Sequence, residues 1–291
     1  NGCFEQLQTV AQFSAAQRPG ETFVGESPGA QDHTFVNIVW AAMVSAILGG
    51  GSLVGQRGHW ISWKFGLCLL LLMATSCSGT APNVTGTVRA VGRNTKGQLG
   101  DQTQGDSSSP VDVRDLDGVV AIAAGSEFSV FLFGDRTAKA LGNNNVGQLG
   151  RGRIDGVQVA PAPVILSNVV AVAAGNAHAL FLQGTKIVWA VGSNTHGQLG
   201  RFAFLNAPSP NPLRILLPNV AAIACGSEFS LFVLESGQAR ASGNNQFGQL
   251  ATGSNTNVVT PQDCVGLVGV IAAAGGNAHS LFLLGNGKVK A

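Results

Sequence analysis

Gly147-Gln-Leu-Gly150 is the stretch of sequence that decides the fold, because it recurs at a nearly constant step along the chain. The same tetrapeptide stands at residues 97–100 and 197–200, and residues 248–251 differ from it only in the last position. A second motif, Gly-x-x-(Phe/His)-(Ser/Ala), keeps the same step of 50 or 51 residues. Its four copies begin at Gly125, Gly175, Gly226 and Gly276. Two motifs in one phase indicate a repeat scaffold whose units bury their apolar faces against neighbouring units.

Each repeat carries short apolar runs bounded by glycine. Val119–Ala124 is followed by the run at 128–132, and a third run, such as 138–142, precedes each tetrapeptide. Runs of this length predict buried strands and are too short for independent helices. Because each repeat has three or four such strands and no helical stretch between them, the sequence predicts an all-β propeller and not a helical solenoid.

The connecting segments also have predicted roles. In the stretch 142–147, Gly-Asn-Asn-Asn-Val-Gly, glycine and asparagine are residue types that accept a positive φ at small cost. We expect the leucine of each tetrapeptide to fill the core between repeats and the glutamine to hydrogen-bond exposed backbone groups. His178 and His279 hold matching places in two copies, where Phe128 and Phe229 stand in the other two. This exchange favours a structural role over a ring of titratable groups around the propeller axis.

The two motifs together resemble the regulator-of-chromosome-condensation repeat over residues 87–291. The resemblance implies a β-propeller, commonly of seven blades. Four copies then predict a partial propeller of about four blades, truncated at its C-terminus. The resemblance also implies that the two residues after the glycine of each second motif lie on one face and bind partners. These partner-binding candidates are Ser126, Glu127, Asn176, Ala177, Ser227, Glu228, Asn277 and Ala278. The two glutamates among them are expected to favour a basic partner.

The residues before the repeats are of a different kind. Residues 1–34 are polar and aperiodic, and they are predicted to be disordered or non-native sequence. Residues 35–80 are hydrophobic; Lys64 precedes an apolar run at 65–74, and small residues follow it, which is a signal-peptide pattern. Cys77 is a candidate for lipid attachment in this context. The alternatives are uncleaved membrane helices, or a non-native N-terminal region on a cytoplasmic or nuclear protein.

Composition argues against several other functions. The net charge is only +2 and the repeats contain no basic run, so nucleic-acid binding is not predicted. Cys225 and Cys264 occupy different repeat positions, which gives neither a disulfide framework nor a zinc spacing. No nucleophile and base stand in a recognisable pattern. We therefore predict no catalytic residue, no metal and no cofactor.

The expected function is a non-catalytic scaffold that binds a protein or glycan partner and is exported or attached to a membrane. The resemblance implies one alternative, which is guanine-nucleotide exchange on a Ran-type small GTPase. Exchange in that family is associated with a β-wedge inserted into one blade, whereas repeat steps of 50, 50 and 51 residues leave no room for an insertion. Membership of a family does not by itself transfer function.

Overall fold

The computed structural model describes residues 87–291, and these residues form seventeen strands in five antiparallel sheets. The predictions made for residues 1–34 and 35–80, including lipid attachment at Cys77, lie outside the described residues. Within residues 87–291 the only helical element is a 3₁₀ turn at Phe202–Phe204. The all-β prediction is therefore confirmed.

The sheets follow one another in chain order. Sheet I contains β1 (Arg89–Gly92) and β2 (Ser107–Asp112). Sheet II contains β3 (Val119–Ala124), β4 (Phe128–Phe133), β5 (Ala138–Asn143) and β6 (Val157–Pro163). Sheet III contains β7 (Val169–Ala174), β8 (His178–Gln183), β9 (Val188–Gly192) and β10 (Ser209–Ile215). Sheet IV contains β11 (Val220–Cys225), β12 (Phe229–Leu234), β13 (Ala239–Gly243) and β14 (Val258–Asp263). Sheet V contains β15 (Val270–Gly275), β16 (Ser280–Leu284) and β17 (Val289–Lys290).

Sheets II, III and IV share one topology, in which four consecutive strands are hydrogen-bonded to their neighbours in chain order. Such a four-stranded meander is the blade of a β-propeller. The first strands of the successive blades, β3, β7, β11 and β15, lie next to one another, so the blades are arranged around a common centre. The structure thus confirms the predicted partial propeller.

Apolar side chains fill the space between successive sheets. The second strand of each of sheets II to V places phenylalanine against the preceding sheet; these residues are Phe131 and Phe133 in sheet II, and Phe181, Phe232 and Phe282 in sheets III, IV and V. Leu149, Leu199 and Leu250 of the repeated tetrapeptide are fully buried in the clusters between sheets II and III, III and IV, and IV and V. The expectation that this leucine fills the core between repeats is confirmed. Burying such a side chain contributes roughly 2 kcal/mol.

The tetrapeptide turn is held by side chains as well as by glycine. Gly142 and Gly147 have the expected positive φ, but the three asparagines between them do not. Asn144 is instead fully buried; its Oδ1 accepts the N–H of Leu149 at 3.1 Å and its Nδ2 donates to the carbonyl of Arg153 at 2.9 Å. The Gln148 Oε1 accepts the N–H of Val146 at 3.1 Å, which confirms the prediction for the glutamine. The buried asparagine therefore stabilises the turn by hydrogen bonding and not by its backbone conformation.

Candidate functional site

The turns that follow the first strand of each blade come together at one end of the propeller. These second-motif turns are residues 125–127, 175–177, 226–228 and 276–278. They line a pocket of about 390 Å³ together with the ends of the strands that precede them. Ser126, Asn176, Ser227 and Asn277 all contribute to its wall. The structure therefore brings together one residue of each predicted pair at one open concave surface.

The wall of this pocket is polar but carries no charge. Besides the two serines and two asparagines, it consists of glycine, alanine and Cys225, with no aromatic residue. Within residues 87–291, none of the four polar side chains makes a hydrogen bond; these are the side chains of Ser126, Asn176, Ser227 and Asn277. Hydroxyl and carboxamide groups both donate and accept hydrogen bonds. The pocket therefore offers uncommitted, neutral hydrogen-bonding groups to a ligand.

The second residue of each predicted pair lies outside the pocket wall. Glu127 accepts a hydrogen bond from Asn143 Nδ2 at 2.9 Å and lies 3.8 Å from an Arg93 guanidinium nitrogen. In the matching position, Glu228 accepts from Asn244 Nδ2 at 3.0 Å and lies 3.6 Å from His196 Nδ1. Ala177 and Ala278 have no side chain that can replace these contacts. Both carboxylates thus contact residues that lie just before a repeated tetrapeptide, and the Arg93 guanidinium partly offsets the charge of Glu127.

His178 lies in the interface between sheets III and IV and is fully buried. Its Nε2 is 3.1 Å from the hydroxyl oxygen of Ser230, and that hydroxyl donates to the carbonyl of Gln198 at 2.7 Å. Since the serine proton is used in that bond, the imidazole Nε2–H must be the donor, and Nδ1 is a buried acceptor without a partner. Burial lowers the pKa of His178 from 6.5 to about 4, against a smaller opposing contribution from the main chain of Phe229.

These contacts fit the structural interpretation of His178. A histidine next to a serine is a catalytic pattern only if the serine proton moves to the imidazole and a substrate can approach. Here Ser230 donates elsewhere and is itself fully buried. Ser230 was not among the candidate residues from the sequence, although its counterparts Ser129 and Ser280 make the same bond to a glutamine carbonyl, at 2.8 and 2.6 Å. The sequence feature that could have indicated this contact is the exchange of phenylalanine for histidine at position 178.

Glycine in the second motif has a definite packing reason. A Cβ on Gly125, Gly175, Gly226 or Gly276 would overlap the ring three residues later, which is Phe128, His178, Phe229 or His279. Each turn therefore folds back onto the aromatic residue that begins the next strand, except that this residue precedes β16 in sheet V. Because the glycine packs against this ring, the polar residue that follows the glycine lies at the wall of the pocket.

The described residues offer little reactive chemistry. Across residues 87–291 there is no group of three or more His, Cys, Asp or Glu side chains that could hold a metal ion. Burial raises the pKa of the Cys225 thiol, and burial together with nearby Asp263 raises that of Cys264 to about 12. Both thiols are therefore protonated and poor nucleophiles at neutral pH. In this same part of the chain, no helix has the length and apolar character needed to cross a bilayer.

Stacked four-stranded meanders with a pocket where their first strands end define a β-propeller protein. The particular family follows from the sequence, because a profile of the regulator of chromosome condensation (RCC1) repeat matches four segments. These are residues 85–132, 140–182, 187–233 and 237–283. The chain belongs to this repeat family. Each matched segment covers the last two strands of one sheet and the first two of the next, so the repeats connect neighbouring blades covalently.

Two solved structures show the same fold. One is Prp20p from Saccharomyces cerevisiae, described with its binding properties to Gsp1p and histones; it is 21% identical, with a TM-score of 0.60, over 68% of this chain and 51% of that one. The other is yeast RCC1 (Prp20) bound by Kap60, at 22% identity and a TM-score of 0.59, over 66% of this chain and 47% of that one. The chain spans about half the length of these structures.

Proposed function

We propose that this protein is a non-catalytic β-propeller scaffold that binds a protein partner at the end of the propeller where the second-motif turns meet. The observation that supports the proposal is the pocket itself, where four uncommitted polar side chains from four blades converge. Propeller loops that are fixed by a rigid core are a common place for binding residues. A glycan is a second possible occupant, but no aromatic residue of the wall offers it a flat apolar face.

The contacts of the candidate residues support a binding role over a catalytic one. The contact between His178 and Ser230 is buried and has the wrong hydrogen-bond direction for a nucleophile. The pocket wall contains no acid, base or thiolate. Catalysis needs a group that can transfer a proton or attack a substrate. Binding needs only complementary donors and acceptors, which the wall provides.

The experiment is a pull-down with the full chain followed by a quantitative affinity measurement on the captured protein. We expect the Asn176→Leu and Ser227→Ala variants to weaken binding, because they remove hydrogen-bonding groups from the pocket wall. The paired change Glu127→Lys and Glu228→Lys tests whether the surface extends to the two carboxylates. Glu235→Lys is the matched control, because Glu235 lies in the hairpin turn at the opposite end of sheet IV. Unchanged affinity in folded pocket variants would move the binding site to the long loop at 101–110.

The second candidate is guanine-nucleotide exchange on a Ran-type GTPase, which rests on the RCC1 repeats and on the fold shared with Prp20p. The repeats in this chain follow without an inserted wedge in residues 87–291, and the chain spans about half of Prp20p. We therefore expect the full chain not to accelerate release of a fluorescent guanine nucleotide from such a GTPase. A stoichiometric pull-down without accelerated release would favour the scaffold, whereas catalytic release would establish the exchange factor.

We also propose export or membrane attachment through residues 35–80, from the charged flank at Lys64 and the apolar run at 65–74. Fusing residues 43–80 to a reporter tests this directly. Recovery in a membrane or exported fraction, with processing or lipid labelling near Cys77, is the expected result. A wholly soluble reporter without processing would favour the cytoplasmic or nuclear alternative.

A further inference from the structure

Main-chain hydrogen bonds join the second-motif turns of neighbouring blades. The N–H of Asn176 donates to the carbonyl of Ser227 at 2.8 Å, which joins sheets III and IV. The N–H of Ser227 donates to the carbonyl of Gly276 at 3.1 Å, which joins sheets IV and V. Each step uses the N–H of the residue after the glycine and a carbonyl of the next turn. The turns of three blades thus form a continuous series around the pocket.

The series stops between sheets II and III. Within residues 87–291, the N–H of Ser126 has no hydrogen-bond acceptor, and neither the Gly175 nor the Asn176 carbonyl receives a donor. Ser126 and Asn176 are both exposed, and both line the pocket. The break therefore leaves a main-chain donor unpaired on the turn of sheet II and main-chain acceptors unpaired on the turn of sheet III, and we call these unpaired groups the gap. Unmade hydrogen bonds of this kind are costly if a partner covers them without satisfying them.

We propose that this gap binds a neutral amide group of the protein partner, either a main-chain peptide group or an Asn or Gln side chain. Its carbonyl accepts the Ser126 N–H, and its N–H donates to the Asn176 turn. The amide would continue the hydrogen-bonded series that the other blades form among themselves. This inference rests on the proposed function, because it specifies the chemistry by which the partner is recognised.

The composition of the pocket favours a neutral ligand over a charged one. No lysine, arginine, aspartate, glutamate or histidine contributes to its wall. A charged group placed there would lose its hydration without gaining an ionic partner, which is unfavourable. The two nearest carboxylates in sequence, Glu127 and Glu228, already bond to Asn143 and Asn244. A neutral amide needs one donor and one acceptor, and the gap supplies the Ser126 N–H and the carbonyls of Gly175 and Asn176.

The test uses N-methylacetamide as the probe, with methylammonium and acetate as charged comparisons, on isotope-labelled full-length protein by NMR. We expect saturable shifts of the Ser126 and Asn176 main-chain signals with N-methylacetamide, with a dissociation constant on the order of millimolar for so small a ligand. Neither charged probe should produce them. Ser126→Pro should weaken binding roughly tenfold, because proline lacks the N–H that the carbonyl of the amide would accept. Asn255→Pro is the matched control, since Asn255 is exposed outside the pocket.

Several results would overturn the inference. These are shifts that do not saturate, equal binding of a charged probe, or unchanged binding in Ser126→Pro. If Ser126→Pro does not fold, Asn176→Asp gives the answer, because a carboxylate beside the main-chain groups of the gap should make methylammonium the preferred probe. The outcome is separable from the proposed function. Probe binding without a captured partner supports the inference alone, and a captured partner without probe binding supports the scaffold alone.

Discussion

Replacing His178 by phenylalanine should remove a large part of the pH dependence of stability. The chain itself contains the comparison, because the interface between sheets II and III has Phe128 packed among Ala179 and Val191. Between sheets III and IV, the positions that correspond to Phe128, Ala179 and Val191 are occupied by His178, Ser230 and Ser242, in that order. The interface between sheets III and IV is therefore polar at this point, whereas that between sheets II and III is apolar. Both His178 Nδ1 and the Ser242 hydroxyl are buried without a hydrogen-bond partner in the described residues. The polar interface is therefore the weaker point of the propeller.

The sign and size of the effect follow from the lowered pKa of His178. The folded state keeps the imidazole neutral down to about pH 4, whereas the unfolded state takes up a proton near pH 6.5. Between these values the unfolded state binds more protons, so the free energy of unfolding falls as the pH falls. At about 1.4 kcal/mol for each tenfold difference in proton affinity, the full loss is about 3 kcal/mol. The loss is absent above pH 6.5 and complete below pH 4.

The assay is urea unfolding of the full chain and of His178→Phe at pH values from 7.5 to 4.5. Between these limits, the wild-type protein should lose about 2 to 3 kcal/mol more than the variant. Carboxylates common to both proteins cancel in this difference. At pH 7.5 the variant should lie within about 1 to 2 kcal/mol of the wild type, because it loses one hydrogen bond and one unsatisfied acceptor together.

Two further variants make the result decisive. The triple change His178→Phe, Ser230→Ala and Ser242→Val copies the apolar interface between sheets II and III, and it should be stable and equally insensitive to pH. His279→Phe is the positional control, since His279 holds the matching repeat position, immediately before β16, but is exposed. Parallel pH profiles for the wild type and His178→Phe would refute the reasoning. So would a variant profile that is steeper than that of the wild type.

Three other substitutions test the packing of the repeats, all by denaturant unfolding at neutral pH. Ala251→Gly should stabilise the protein by about 0.5 to 1 kcal/mol, because Ala251 has φ 54° where the other copies have glycine; the mirror change Gly200→Ala should destabilise it. Gly226→Ala should cost roughly 1 to 3 kcal/mol, since its Cβ would overlap the Phe229 ring, whereas Gly105→Ala meets no neighbour and should be neutral. Asn144→Ala should cost about 2 to 4 kcal/mol through lost buried hydrogen bonds, against less than about 0.5 kcal/mol for exposed Asn145→Ala; similar values for these two variants would contradict the role assigned to Asn144.

The repeat period carried enough information to predict the architecture. Two motifs in phase predicted a propeller, and Leu149 and Gln148 have the roles expected of them. This prediction succeeded because every repeat needs the same turn, in which the leucine fills the core and the glutamine bonds to the main chain. The residue types of the tetrapeptide are therefore constrained in each blade. The sequence attributed the asparagines of this turn to a positive φ, and for Asn144 that explanation was wrong. Positive φ and side-chain hydrogen bonding both favour asparagine in turns, so the residue type alone does not tell them apart. Only the three-dimensional structure distinguishes these two causes.

The candidate site was predicted only in part. The resemblance placed Ser126, Asn176, Ser227 and Asn277 on one face, and the structure brings them to one pocket. The contacts of Glu127 and Glu228 with the tetrapeptide turns were missed, because they join residues 16 apart across a hairpin. The break in the hydrogen-bonded series was also invisible, because it depends on main-chain positions and not on residue types.

The positions that remain free to vary indicate where this scaffold can carry specificity. The asparagine, glutamine, leucine and glycine of each repeat are all buried or packed, so changing them would damage the blade. The residue before the tetrapeptide is different: its N–H is held by the glutamine, but its side chain is Lys96, Val146, His196 or Phe247 in the four copies. The polar residues of the pocket wall vary only between serine and asparagine. The pocket thus offers the same kind of hydrogen bond in each repeat, whereas the position before the tetrapeptide offers four chemically different side chains. We therefore expect substitutions at this second position to change which partner is preferred more than they change the fold.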